Sequence, residues 1–190
     1  MSKKIIKMGF DIDGVLCSFL PECLAAAQKV GLVPEYIKVE DIHDDMRRQF
    51  NWPSEGYDNV FTEEFILSLP PKTNVINDVK EWIKNGHDIF YITSRSEEKE
   101  AEPTIKWLEK YGLLKGSKGI IHEKSDLKYI HALENKIQVF VDDYPKVIRT
   151  MIGVIDYPFL LEGPINRGHL DSYIHTWSEI KREINDLIYN

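Results

Sequence analysis

A short apolar run that ends in two carboxylates constrains this chain more than any other feature. Ile5 to Phe10 is mostly apolar and reads as a buried strand. It leads directly into Asp11-Ile12-Asp13-Gly14-Val15-Leu16. A carboxylate taken out of water is costly unless a cation or hydrogen-bond donors meet it. Two acids at the end of a buried strand therefore call for a partner. In open α/β sheets the carboxyl ends of the strands are where sites form. Taken alone, Asp-x-Asp-Gly is also an ordinary way for a strand to enter a turn, so the rest of the chain has to decide.

The remaining pattern is one of alternating elements. Ser18 to Val30 reads as a helix, with Pro21 in its first turn and Gly31 as its stop. Residues 32–74 change character: aromatics and mixed charges predominate and no strand-like alternation is present. Short helices are expected at Val39–Phe50 and Asn59–Leu69, with a loop through Asn51–Gly56 and a sharp end at Pro70-Pro71. From Val75 the order is regular. A helix carrying Val75, Val79, Trp82 and Ile83 closes at Gly86, and a strand, Asp88–Ile92, ends in Thr93-Ser94-Arg95. A helix follows at Glu102–Tyr111, with Pro103 near its start, then a strand at Gly119–Ile121 and a helix opening at Ser125. The strand Ile137–Val141 ends in Asp142-Asp143; the helix Pro145–Met151 and a last short strand at Val154-Ile155 follow. Thr176 and Glu179 form a capping box for a final helix reaching Ile188. Strands alternating with helices predict an α/β fold, a doubly wound parallel sheet of Rossmann-like type. A small helical cap is inserted after its first strand. The expected division is a core of 1–16 and 73–190 and a cap of 17–72.

Composition narrows the function. The chain has 190 residues, with 31 acids against 24 bases and a net charge of −7. An acidic chain does not suit stable binding along a nucleic-acid backbone, although a nucleotide needs only one local cationic pocket. Cys17 and Cys23 show neither a metal-ligand spacing nor a disulfide framework, and the six histidines do not cluster. The apolar residues near the N-terminus are too few for a signal-peptide core, and no run approaches ~18 apolar residues. A cytoplasmic protein without membrane association is expected; a homodimer is left open.

Four segments that follow strands carry polar groups: Asp11/Asp13, Thr93/Ser94/Arg95, Lys124, and Asp142/Asp143. Strand ends of such a sheet lie along one edge, so these can converge. Four acids cannot all be ionised together without a counter-ion, and hard oxygen ligands suit Mg²⁺. Mg²⁺ with a lysine and with hydroxyl and amide donors describes a phosphoryl site, with one carboxylate free to attack. Gly14 permits the tight exit that brings backbone amides near the phosphate.

In this order the four segments resemble the four motifs of the haloacid-dehalogenase-like phosphohydrolase superfamily, over roughly 4–16 and 75–160. The resemblance implies that Asp11 is the nucleophile and Asp13 the general acid and base, which favours phosphatase over dehalogenase chemistry. It implies that Thr93 binds the phosphoryl group, with Ser94, Arg95 and Gly14 beside it. Lys124 is taken to balance the charge, because it immediately precedes the expected helix cap; Lys128 lies one turn further on. Mg²⁺ would be held by Asp11, the backbone carbonyl of Asp13, Asp143 directly, and Asp142 through water.

Asp11–Leu16 with Phe19 also resembles the 5′(3′)-deoxyribonucleotidase branch and its bacterial and phage relatives. There an aromatic eight residues after the nucleophile stacks on the base, and Phe19 matches that position. Trp52, Tyr57, Phe61 and Phe65 either complete an aromatic box or form the cap's own core, and Arg47 or Arg48 could reach a base edge or phosphate. Gly163-Pro164-Ile165-Asn166-Arg167 resembles a Pro-x-Asn-Arg segment of nucleotidase-like relatives. Asn166 and Arg167 either line the entrance or sit in a loop held by its own hydrogen bonds. The function expected is a Mg²⁺-dependent phosphomonoesterase working through an aspartyl-phosphate, a 5′-nucleotidase for (deoxy)ribonucleoside monophosphates. The rivals are a phosphatase of another small phosphate ester or of nucleic-acid 3′-phosphates, and a non-catalytic binding module on the same fold.

Overall fold

The computed structural model describes residues 4–166 and 173–189. Its described residues form a six-stranded parallel sheet: β1 (Lys7–Phe10), β2 (Asp88–Thr93), β3 (Gly119–His122), β4 (Val139–Asp142), β5 (Tyr157–Leu161) and β6 (Ile174–His175), in the spatial order β3-β2-β1-β4-β5-β6. Between β1 and β2 lie the helices α1 (Leu20–Lys29), α2 (Met46–Gln49), α3 (Ser54–Val60), α4 (Glu63–Ser68) and α5 (Thr73–Lys84). The helix α6 (Glu97–Lys110) follows β2, α7 (Lys128–Glu134) follows β3, and α8 (Pro145–Met151) follows β4. The last helix is α9 (Trp177–Tyr189).

The period-2 alternation of the strands sorts their side chains onto two faces. Met8, Phe10, Ile89, Tyr91, Val139, Val141, Phe159 and Leu161 pack on one face with α5, α6 and α9. Phe90, Ile92, Phe140 and Leu160 pack on the other with α7 and α8. Both faces are covered, which is why the strands read as continuous apolar runs. Gly9 on β1 is required by this packing, because a Cβ there would lie 2.5 Å from the Phe140 ring.

The helices α1 to α4 enclose a third apolar cluster of their own, with Cys23, Leu24, Ala27, Val33, Ile42, Met46 and Val60 at its centre. The segments that lead into and out of this region run side by side. Ser18 N–H donates to the Pro70 carbonyl, and Lys72 N–H to that of Leu16, both at 2.8 Å.

Several boundaries differ from those expected. The helix expected from Glu102 starts at Glu97, because Ser96 caps it through Lys99 N–H and Pro103 is carried inside it. The helix expected from Ser125 starts at Lys128; residues 125–127 form a turn. Residues 54–56, expected in a loop, open α3. No strand forms at Val154-Ile155, which leave α8 through Gly153 at φ 77°; the strand lies at β5 instead. The helix α8 and the Thr176–Glu179 capping box are as expected, with Thr176 N–H on Glu179 Oε2 at 2.8 Å.

Candidate active site

The carboxyl ends of β1 and β4 are adjacent in the sheet, so the acids that follow them meet. Oxygens of Asp11, Asp142 and Asp143 all lie within 4.8 Å of one another. Lys128, at the first turn of α7, reaches into this group. Its Nζ is 2.7 Å from Asp11 Oδ1 and 2.9 Å from Asp142 Oδ2. Lys128 is 2% exposed and Asp142 1%. Burial alone would lower the Lys128 ammonium, but the two carboxylates outweigh it and hold it well above its ordinary value. Burial pushes Asp11 up to about 7 against the pull of Lys128, and Asp142 and Asp13 push the same way. Burial, followed by Asp142 and Asp11, raises Asp143 well above the carboxylate range. Lys128, even with the charge of Lys72 acting on Asp143, does not offset three packed acids. A cluster of hard oxygens that is short of positive charge fits a divalent cation.

This geometry corrects one assignment. Lys124 is exposed, and its backbone N–H is turned onto the side chain of its neighbour Glu123. The lysine at the carboxylates is Lys128, because the helix begins at that residue rather than at Ser125 and its first turn points the side chain inward. A second cation, Lys72, was missed. Its Nζ donates to the Gly14 carbonyl, and its charge acts on Asp143. The only signal in the sequence is its place directly after Pro70-Pro71, at the return of the chain to the sheet. Gly14 itself has φ 81°, and a Cβ on it would lie 1.8 Å from Asp143 Oδ2. The glycine is thus demanded both by the turn and by the carboxylate packed on it.

Asp13 is held differently. Arg95 clamps it with Nη2 on Oδ1 at 2.7 Å and Nε on Oδ2 at 3.0 Å. Arg95 is 6% exposed and is itself fixed by Nη1 on Thr104 Oγ1 at 3.1 Å. Thr93 is fully buried, and its hydroxyl accepts the Arg95 N–H, whereas Ser94 faces the cleft and pairs with Ser125 Oγ at 2.9 Å. Of the hydroxyl pair, Ser94 therefore stands on the cleft wall.

The cleft continues from Asp11, Asp13, Asp142 and Asp143 into the helical region, where Phe19, Arg47, Trp52, Tyr57 and Phe61 line it. Phe19 stacks on Phe61 at 5.8 Å, and Phe61 on Tyr57 at 4.2 Å. Phe65 meets Phe19 and Phe61 edge-on and belongs to their packing rather than to the wall. Arg47 pairs with Asp45 and lies 5.4 Å over the Tyr57 ring. Arg48 is tied to Asp44 and to Tyr144 Oη, which line the cleft, while Arg48 itself stands behind them. Asn166 does not line the entrance. It is fully buried and bonds the carbonyls of Leu161 (2.6 Å) and Asp143 (3.1 Å) and the N–H of Gly163 (3.0 Å). It is the loop held by its own hydrogen bonds, and it also braces Asp143. Arg167 lies outside the described residues.

The sequence profile of the family described as "5' nucleotidase, deoxy (Pyrimidine), cytosolic type C protein" matches residues 4–188. The chain belongs to this family. As a member of this nucleotidase family it is a phosphatase of the haloacid-dehalogenase-like type, a phosphoric monoester hydrolase. A Bacillus cereus protein named "Putative nucleotidase" is 30% identical over 155 residues, covering 78% of this chain and 82% of that one. Similar folds include a haloacid-dehalogenase-family hydrolase of Deinococcus radiodurans with bound phosphate and sodium. It has a TM-score of 0.58 and 12% identity, and 97% of each chain is covered. A Bacillus subtilis protein bound to magnesium has a TM-score of 0.62 and 11% identity, with 96% of this chain and 100% of that one covered. At these identities the likeness is one of fold. Among the described residues no helix is long and apolar enough to cross a membrane.

Proposed function

We propose that the protein is a Mg²⁺-dependent phosphomonoesterase that releases phosphate from (deoxy)ribonucleoside monophosphates through an aspartyl-phosphate on Asp11. The observation that carries this reading is the Lys128 ammonium shared between Asp11 and Asp142, beside Asp143, in the lining of a cleft that aromatic rings also wall. The group of residues 17–72 acts as a cap over the sheet edge, hinged at the paired segments around Ser18 and Lys72.

Asp11, Asp142, Asp143 and the carbonyl of Asp13 would hold the Mg²⁺. The ion would supply positive charge against the phosphoryl oxygens and offset their repulsion of the attacking carboxylate. Asp11 attacks phosphorus while Lys128 screens the approach of two anions. Ser94 receives a phosphoryl oxygen from the cleft wall, with Thr93 behind it at the strand end. Asp13 gives a proton to the leaving oxygen and then takes one from the water that hydrolyses the acyl phosphate. Both Asp13 oxygens accept from Arg95 in the described state, and each keeps a second lone pair that can take the proton. Phe19, Phe61 and Tyr57 offer π-faces to a base, each contact worth about 1–3 kcal/mol.

The test is a phosphatase screen across nucleoside monophosphates and sugar phosphates with Mg²⁺ and with a chelator. Nucleotides preferred in Mg²⁺, with silence in chelator, is the expected outcome. A flat profile or a preference for sugar phosphates would refute the substrate class, and chelator-insensitive rates would refute the metal.

A further inference from the structure

Two buried polar atoms in the cleft wall have no hydrogen-bond partner among the described residues: Trp52 Nε1 and Glu100 Oε1. Both residues line the same cleft as the catalytic acids. Glu100, near the start of α6, is 1% exposed. Its structural work is done by one oxygen: Oε2 accepts both the Ser96 N–H at the head of the helix and the Tyr57 hydroxyl (2.7 Å). Oε1 is surplus to that work. A buried acceptor left unmet is destabilising, and so is a buried indole N–H. Bulk water reaches neither atom as the cap stands. Asp13 is clamped by Arg95, Glu100 meets Tyr57, and Tyr57 stacks on Phe61, which stacks on Phe19.

We infer that Glu100 and Trp52 set the specificity of the cleft: Glu100 Oε1 accepts from a hydroxyl or N–H of the group esterified to phosphate, and Trp52 Nε1 donates to a carbonyl or ring nitrogen of that same group. The cap closing around a substrate brings both partners to atoms that otherwise stay unmet. A leaving group with one donor and one acceptor is thereby chosen over an apolar aryl group of similar size. A site with paired buried polar atoms rejects an analogue lacking the matching group far more strongly than a missing methylene is rejected. The inference rests on the nucleotide reading above and assigns its discrimination to two residues.

The test compares kcat/KM for thymidine 5′-monophosphate and for phenyl phosphate, whose phenyl group carries neither donor nor acceptor while it is esterified. Trp52→Phe removes the donor and keeps an aromatic ring. Glu100→Gln inverts the surplus position: Oε2 must remain an acceptor for two donors, so the amide NH₂ takes the place of Oε1. Each variant is expected to lower the nucleotide-to-phenyl ratio about tenfold or more, mainly through KM. Phenyl phosphate turnover in each variant reports that it is folded. The 3′-deoxy and N3-methyl analogues tell sugar hydroxyl from base N–H: the modification that costs the wild type but costs Glu100→Gln nothing further marks the donor. A ratio within about twofold of wild type in both variants overturns this inference and leaves the phosphatase reading standing. Failure of the wild type to cleave either thymidine 5′-monophosphate or phenyl phosphate overturns the phosphatase reading itself.

Discussion

Replacing Lys128 by methionine is the sharpest perturbation of the site as folded. Both side chains are unbranched, and methionine ends one atom short, where lysine carries the ammonium shared by Asp11 and Asp142. Lys128 is 2% exposed, and its carboxylate partners lie at 2.7 and 2.9 Å. Removing one partner of a buried pair typically costs about 3–5 kcal/mol, because the other charge is left uncompensated. For a chain of this size that lowers the unfolding midpoint by roughly 6–20 °C. The loss depends on pH in a set direction. Asp11 is already raised to about 7, and without Lys128 it rises further. A carboxyl raised on folding keeps its stability below the ordinary carboxylate range and loses it as pH climbs toward the folded value. In chelator, Lys128→Met is therefore nearer wild type at pH 5 than at pH 8. Lys124→Met, an exposed change, is expected to stay within about 0.5 kcal/mol of wild type. The assay is thermal unfolding of both variants at the two pH values, paired with turnover in Mg²⁺. A Lys128→Met cost below about 1 kcal/mol at pH 8, or turnover lost in Lys124→Met and kept in Lys128→Met, would refute the reasoning.

Other perturbations follow from the same contacts. Asn166→Ala removes three hydrogen bonds, one of them buried and two half-buried, and the brace on Asp143; a loss of about 2–3 kcal/mol and a higher Mg²⁺ requirement are expected from thermal unfolding and metal titration. Gly14→Ala places a Cβ on the Asp143 carboxylate at positive φ, so turnover should collapse while circular dichroism shows the sheet intact. A metal ion has to displace the proton that the metal-free Asp11 carries below about pH 7. Asp143, also raised by burial, adds a second proton to displace, so apparent Mg²⁺ affinity, read from the metal-induced rise in unfolding temperature, should fall as pH drops below 7, by up to about tenfold per pH unit for each proton released.

Much of this architecture is legible in the sequence because strand and helix periods are local. The strands carrying Asp11 and Asp142, the helix Pro145–Met151 and the capping box at Thr176 all follow from spacing and turn chemistry. What escaped depends on distant partners. Nothing near Lys128 marks it as buried, since Asp11 is 117 residues away and Asp142 is 14. Lys72 is likewise defined by Gly14, 58 residues earlier. The strand β5 reads Tyr-Pro-Phe-Leu-Leu, and an internal proline argues against a strand paired on both sides. The strand forms because β6 pairs only with Leu160 and Leu161, so among the described residues Pro158 is paired on the β4 side alone. Pro103 suggested a helix start, but the Ser96 cap and the buried face of Glu100, Thr104 and Trp107 carried the helix through it. Phe61 and Tyr57 show why aromatic content alone did not separate wall from core. The same rings stack on their neighbours and line the cleft.

The central claim is that phosphorus passes through Asp11. It is tested most directly by acid-quenching the protein during turnover of an aryl phosphate and mapping the phosphoryl label by peptide. An aryl leaving group departs without much help from a proton, whereas hydrolysis of the acyl phosphate needs Asp13 as base. Label should appear on Asp11, accumulate in Asp13→Asn, and be absent from Asp11→Asn. Turnover in Asp11→Asn within about tenfold of wild type, or label on any other residue, would contradict the account.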